Sequence, residues 1–408
     1  MSTPEIEILN SQVSKVFRIE DVTLGDPRQW IARYRGTFLS EDTIAAYDQL
    51  ADAVRGYDLI PLFRTGDDDK QIILLAPAPK IPKPSARATV NIALFILTIL
   101  SMMLTGAEAP ASVVAAGRSN PILLQFRYIL TGWPFALSMM GILFAHEMGH
   151  YIACRYYKVP ATLPFFIPAP FLSPFGTLGA FIAMRGIPKN KRILFDVGVA
   201  GPLAGLVIAI PVLLYGLSIS TLGPIAAAGG SGLLEGNSLF YLFSKYIIFH
   251  KFLPEPVTMN GLSPFVYWLQ YFFSGRPIPF GGLDVQLSSV AWAGWGGLLV
   301  TALNLVPAGT LDGGHVVYGL FGEKARRIFP IIIGALIVFS ILPVLLTFSL
   351  ASFNYGWLLW VLILFWLGNV RAQPLNDVTP LDPKRRALGF FVLIMFILLL
   401  TPIPFSGY

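Results

Sequence analysis

The chain has 408 residues and a formal net charge of +6, with 55% hydrophobic and only 13% charged residues. A soluble domain carries roughly twice that charged fraction, so the composition excludes an ordinary soluble globular fold and points to several membrane crossings. Cys154 is the one cysteine, which excludes an intrachain disulfide and a disulfide-stapled secreted fold.

In chain order, Met1-Ser2-Thr3-Pro4-Glu5 lacks the basic stretch and apolar core of a signal peptide. Residues 1–85 read as a small soluble α+β domain. Val13–Thr23 and Trp30–Phe38 alternate as strands do. A helix follows, capped by Ser40 and ended by Gly56, with Ile44, Tyr47, Leu50, Ala51 and Val54 as its apolar stripe. Ile60–Arg64 and Gln71–Leu75 flank Gly66-Asp67-Asp68-Asp69, a hairpin around an acidic, solvated tip. Pro77, Pro79, Pro82 and Pro84 make a stiff linker.

Residues 86–408 carry seven candidate spans, at 88–106, 129–153, 193–217, 290–308, 328–348, 352–370 and 386–403. Each approaches the roughly 20 residues that cross a hydrocarbon core. Residues 160–185 are apolar but interrupted by Pro164, Pro168 and Pro170. They read as a re-entrant or interfacial loop, which is tolerated at membrane depth only where protein or a water cavity satisfies the backbone. Residues 218–289 form a long connection with helices near 237–251 and 262–274. The expected fold is a polytopic α-helical bundle of about seven spans plus a re-entrant loop, preceded by the α+β domain.

Basic residues set the orientation. Lys80, Lys83 and Arg87 precede the first span, and Arg155, Lys158, Arg185, Lys189, Lys191 and Arg192 follow the second. Lys324, Arg326 and Arg327 follow the fourth, and Arg371, Lys384, Arg385 and Arg386 the sixth. The opposite short loops carry only Arg118 and Arg127. The positive-inside rule then places the N-terminal domain in the cytosol, and the absence of a targeting segment fits a bacterial or archaeal cell membrane, with a processed plastid form as the alternative.

His146-Glu147-Met148-Gly149-His150 lies at the inner end of the second span. Histidines four residues apart share a helix face, with roughly 6 Å of rise between them. Their imidazoles can converge on one Zn²⁺, with Glu147 beside it as proton acceptor. An ionisable group inside an apolar span needs a reason, which disfavours the bland reading of two satisfied core histidines. A catalytic zinc usually takes three protein ligands, and four candidates exist for the third. Cys154 lies roughly 12 Å of helical rise from His146, too far for one helix to bring onto the same ion. Asp196 reads as a cap or salt bridge. Asp312 and His315 sit just inside the fourth span, on the membrane face that charge topology gives His150. Asp312 is favoured as ligand, with His315 behind it or at a headgroup. His250 lies on the other side and has no assigned role.

His146-Glu147-x-x-His150 together with Asn304-x-x-Pro307-x-x-x-x-Asp312-Gly313 resembles the site-2 protease family of intramembrane metalloproteases. The resemblance covers roughly residues 129–320. It takes in Gly176-Thr177-Leu178-Gly179-Ala180-Phe181, similar to the family's strand-like loop, and Phe195–Pro202, similar to its next helix. The lack of a PDZ insertion resembles the bacterial and plastid branch. The resemblance implies one Zn²⁺ per chain held by His146, His150 and Asp312, Glu147 as catalytic base, and Asn304 near the scissile carbonyl. It also implies Gly176–Phe181 as substrate-binding edge and, as substrate in the bilayer, either a single-span membrane protein trimmed beforehand by a site-1-type protease or a leftover signal peptide. Nucleic acid is not an expected partner. A catalytically dead scaffold, a divalent-metal transporter and a zinc enzyme acting on lipid or prenylated peptide compete with this reading. The intact His-Glu-His set speaks against the first, and the lack of matching halves against the second.

Overall fold

A computed structural model of the chain describes residues 6–26, 29–66, 70–79, 88–110, 112–113, 120–225, 233–367 and 373–407. The opening pentapeptide, the acidic hairpin tip at Asp67–Asp69, the linker prolines Pro82 and Pro84, and Lys80, Lys83, Arg87, Arg118 and Arg371 lie outside the described residues.

The N-terminal unit opens with α1 (Ile6–Ser14), then β1 (Phe17–Leu24), β2 (Ala32–Phe38), α2 (Thr43–Val54), β3 (Leu59–Thr65) and β4 (Gln71–Pro77). Its antiparallel sheet has the order β1-β2-β4-β3. The expected strand at Val13–Thr23 is corrected, because Val13 and Ser14 end a helix. Leu9 and Val13, four apart, bury one helical face, and alternation starts only at Phe17. The α2 cap is Asp42 rather than Ser40. Asp42 Oδ1 accepts from the backbone N–H groups of Ile44 and Ala45, while Ser40 Oγ accepts from Asp42 N–H. Nor does Gly56 end the helix. A 3₁₀ turn follows, and Asp58 takes the left-handed conformation at φ 56°. Leu9, Val13, Phe17, Tyr34, Leu50, Val54, Phe63 and Ile73 form a separate core for this unit.

A segment near the C-terminus completes the unit. The Phe63 backbone N–H donates to Leu375 C=O, and Asp377 N–H donates back to Phe63 C=O. On its other side the same segment bonds the loop before the third span, with Leu375 N–H to Pro188 C=O and Asn376 N–H to Lys189 C=O. Asn376 is wholly buried. Its Nδ2 donates to Thr43 C=O, and its Oδ1 accepts from Val378 and Thr379 N–H. Lys189–Asp48 and Lys191–Asp377 ion pairs flank the joint.

Beyond it run α3 (Ala88–Thr105), α4 (Pro121–Arg127), α5 (Trp133–Tyr156), β5 (Phe165–Pro168), β6 (Thr177–Phe181), α6 (Lys191–Ser218), β7 (Thr221–Pro224), β8 (Leu233–Glu235), α7 (Leu239–Phe249), α8 (Pro264–Ser274), β9 (Leu283–Gln286), α9 (Ser289–Asn304), α10 (Asp312–Phe321), α11 (Ile328–Thr347), α12 (Tyr355–Leu367), α13 (Pro383–Leu399) and β10 (Phe405–Gly407). Among the described residues, four helical runs are long and apolar enough to cross a membrane: Ala88–Thr105, Ile129–Tyr156, Lys191–Ser218 and Asp312–Thr347. α6 is central and packs against α5, α9 and α10. The prolines of the 160–185 stretch prevent a helix, and the stretch folds instead as the antiparallel pair β5–β6.

The end of the bundle away from the N-terminal unit is closed by a cap. β7 pairs with β9 and β8 with β10, with α7 and α8 beside them. Tyr241 of α7 donates its hydroxyl to Glu235 Oε1 at 3.0 Å, and Lys245 lies 3.2 Å from Asp284. Asn237 Nδ2 donates to Tyr271 Oη of α8, and Trp295 Nε1 of α9 to Gly236 C=O. Two carboxyl groups thus share one ammonium out of water. Burial and the Asp284 charge push Glu235 up to about 7 from an ordinary 4.5.

Two expectations follow. Asn376→Ala leaves buried backbone groups without partners, each costing about 1–3 kcal/mol. Faster hydrogen exchange at Val378 and Thr379 and a lower unfolding midpoint report the loss. Folding the cap raises the Glu235 pKa, so its stabilisation is complete below about 4.5 and declines as pH rises through about 7. Proteolysis of the cap is expected to be faster at high pH than at low, and Glu235→Gln to flatten that dependence.

Candidate metal centre

Two ligand candidates come from one helix turn. His146 and His150 lie on the C-terminal half of α5, both buried. Their Nε2 atoms are 3.2 Å apart. Asp312, the first residue of α10, brings its Oδ2 to 3.3 Å from each. The three atoms form a nearly equilateral triangle of edge 3.2–3.3 Å. A tetrahedral ion with ligands at about 2.0–2.1 Å needs ligand–ligand separations of about 3.3–3.4 Å. Two neutral imidazoles and a carboxylate are also a donor set suited to a divalent cation. The residues therefore fit a metal, and among the described residues these three form the group able to hold one.

The surroundings fix the ring orientations. His150 Nδ1 lies 2.8 Å from the Val197 carbonyl of α6, which accepts the Nδ1 proton and leaves Nε2 as a lone pair facing its neighbours. Asn304, the last residue of α9, sets its Nδ2 3.2 Å from His146 Nε2. Glu147 is buried and faces the backbone N–H of Ile182. A cavity of about 190 Å³ joins these groups, with Ala180 and Phe181 of β6 forming part of its wall.

The remaining candidates separate cleanly. His315 is buried and lines the same cavity, outside the three-atom cluster. Cys154 packs with Val159, Ile193 and Val197. Asp196 pairs with Arg385 at 2.6 Å and accepts from the Tyr157 hydroxyl. His250 caps α7 in a left-handed conformation, in the connection that forms the cap. The six-residue loop is split by the fold. Ala180 and Phe181 reach the cavity. Gly176 C=O accepts from Ser101 Oγ of α3, and Thr177 Oγ1 donates to Ile167 C=O. Leu178 is exposed, and Gly179 has open space about it at φ 100°. Among the described residues β6 pairs only with β5, and Thr177 Oγ1 bonds both the N–H and the C=O of Gly179.

The glycines of α6 escaped the sequence reading. A Cβ at Gly201 would overlap His150 Nε2, one at Gly205 would stand 3.3 Å from the His146 ring, and one at Gly198 2.7 Å from His315 Cβ. The 198/201/205 spacing, one helix face, was the available signal.

The model of Peptidase family M50 matches residues 134–348. That is just over half of the chain, which belongs to this family. Similar curated proteins include "Probable zinc metalloprotease EGY1, chloroplastic" of Oryza sativa subsp. japonica, 28% identical over 332 residues, covering 77% of this chain and 50% of that protein. The protein of the same name from Arabidopsis thaliana is 29% identical over 285 residues, covering 69% and 44%. "Probable zinc metalloprotease EGY2, chloroplastic" of Arabidopsis thaliana is 26% identical over 355 residues, covering 85% and 55%. The chain thus spans about half the length of these relatives. No solved structure matches it.

Gly201→Ala is expected to weaken metal retention by more than about tenfold, the scale set by losing one ligand-orienting contact. Gly205→Ala, with its looser contact, should act less. Titration of each variant against a chelator orders the two.

Proposed function

We propose that this chain is an intramembrane zinc metalloprotease that hydrolyses peptide bonds within or near transmembrane segments of other proteins. The observation that carries the reading is the triangle of His146, His150 and Asp312 atoms with Glu147 at its side, buried inside an apolar bundle. His146, His150 and Asp312 would hold one Zn²⁺ per chain, as the names of the relatives suggest. When bound, the ion supplies Lewis acidity, which polarises a scissile carbonyl and brings the pKa of a coordinated water towards about 7.

The chain's own groups do the rest. Glu147 takes a proton from the attacking water and hands it to the leaving amine. Val197 holds the His150 ring through its Nδ1 proton. Asn304 directs an amide towards the carbonyl under attack. A substrate helix hides its amides in i→i−4 bonds and must unwind first. The edge of β6 away from β5, Gly176–Phe181, can receive the unwound segment as an added strand once Gly179 gives up its bonds to Thr177 Oγ1.

In this reading α3, α5, α6, α9, α11, α12 and α13 are the seven crossings. Lys158, Lys189, Lys191, Arg192, Lys324, Arg326, Arg327 and Lys384–Arg386 gather at the metal end, which the positive-inside rule makes cytosolic. Residues 1–85, joined to that end through Asn376, form a cytosolic domain, and 86–408 the membrane protease domain. The host is a bacterial cell membrane or its plastid counterpart, the compartment named for the relatives. The substrate is a single-span membrane protein, prepared by an upstream site-1-type protease.

The test uses the full chain and a single-span substrate. Glu147→Gln should lower cleavage by about 10²–10⁴-fold while metal content is unchanged. Cleavage that persists refutes the mechanism. Zinc that stays bound in the His146→Ala/His150→Ala double variant refutes the site.

A further inference from the structure

A second cavity lies on the capped end of the bundle, between α9, α12, the end of α8 and the C-terminal segment. It measures about 390 Å³, within the size range of small-molecule sites. Its polar lining includes Arg276, Ser352 and Asn354, and its apolar lining Leu299, Leu303 and Trp360. Arg276 Nη2 donates to Ser352 Oγ at 2.9 Å. Among the described residues no carboxylate lines the cavity. Among the described residues the guanidinium has no ion-pair partner. Asn354 places its Nδ2 out of water with no hydrogen-bond partner, while its Oδ1 accepts from Gly356 N–H. Among the described residues the guanidinium therefore borders the cavity with Ser352 Oγ as a hydrogen-bond partner and no carboxylate beside it, and a planar guanidinium fork suits a phosphate.

The two linings lie at different depths. α12 begins at the capped end, so Trp360 lies roughly 9 Å deeper than Asn354 by helical rise. Leu299 and Leu303 continue along α9 towards Asn304. The cavity thus has a cationic, hydrogen-bonding mouth and an apolar floor along two helices of the bundle. That is the polarity of an amphiphile with an anionic head.

We propose that this cavity is a binding site for an anionic phospholipid, its phosphate on Arg276 and one acyl chain along Leu299, Leu303 and Trp360. The site is separate from the metal centre and does not rest on the chemistry proposed there. It does touch the same helix. Leu303 immediately precedes Asn304, whose amide lies against His146, so an occupied floor buttresses the end of α9.

The full chain, purified in neutral detergent, is incubated with phosphatidylglycerol, with phosphatidylcholine or with inorganic phosphate, and retained molecules are counted by native mass spectrometry. One phosphatidylglycerol per chain is expected, favoured over phosphatidylcholine by about tenfold, the equivalent of one charge-assisted contact. Arg276→Gln should abolish the preference. Arg276→Lys, which keeps the charge and guards against misfolding, should retain part of it. Equal retention of both lipids, or an unaffected Arg276→Gln, overturns the proposal. So does displacement of the lipid by an equal concentration of inorganic phosphate, since the site would then recognise the free anion alone.

Discussion

The metal centre depends on how closely α5 and α6 can approach. A Cβ at Gly149 would stand 2.5 Å from Ala200 C=O, and one at Gly201 would run into His150. Two helices without side chains at these crossings bring their backbones together, and dispersion over that contact replaces the hydrophobic driving force that lipid cannot supply. The same approach carries the Val197 carbonyl to His150. Packing and ring orientation are therefore one constraint. Any residue that separated the helices would also release the imidazole.

A third helix completes the arrangement. Asp312 stands at the N-terminus of α10, where unsatisfied backbone N–H groups and the helix dipole favour negative charge. Its neighbour Gly313 lets that turn press against the Leu305 carbonyl at the end of α9. The carboxylate is thereby held against two histidines that arrive on a different helix. Neither the spacing of His146 and His150 nor the sequence of α10 alone produces the three-atom cluster.

Much of this was legible in the chain. The period of four in His146–His150 and the apolar runs announced α5 and the bundle, and basic residues put Asp312 on the right face. Helical rise correctly set Cys154 aside. Other features were hidden for physical reasons. α1 is short, and its Leu9–Val13 pair is outnumbered by the alternating run that follows. Ser40 and Asp42 are both able caps, and only the backbone geometry chooses. The β8–β10 and β7–β9 pairs join segments far apart in sequence, where no local period reports pairing. Asn376 gave no signal, because two of its bonds are local, to Val378 and Thr379, and the one that ties it to the N-terminal unit reaches Thr43, 333 residues away. Asp196, by contrast, was readable as an ion pair, though its partner Arg385 was not.

The joint made by residues 374–377 has a consequence for the order of assembly. Arg64 bonds the Pro374 carbonyl across 310 residues of sequence. During synthesis β3 emerges well ahead of the backbone that borders it, which follows some 310 residues later. Until then β3 is an open edge beside Phe63, ready to pair with whatever extended chain is near. The N-terminal unit reaches its final form only when the elements between residues 88 and 367 have been made. Its completion thus marks that the helices carrying His146, His150 and Asp312 have already been made.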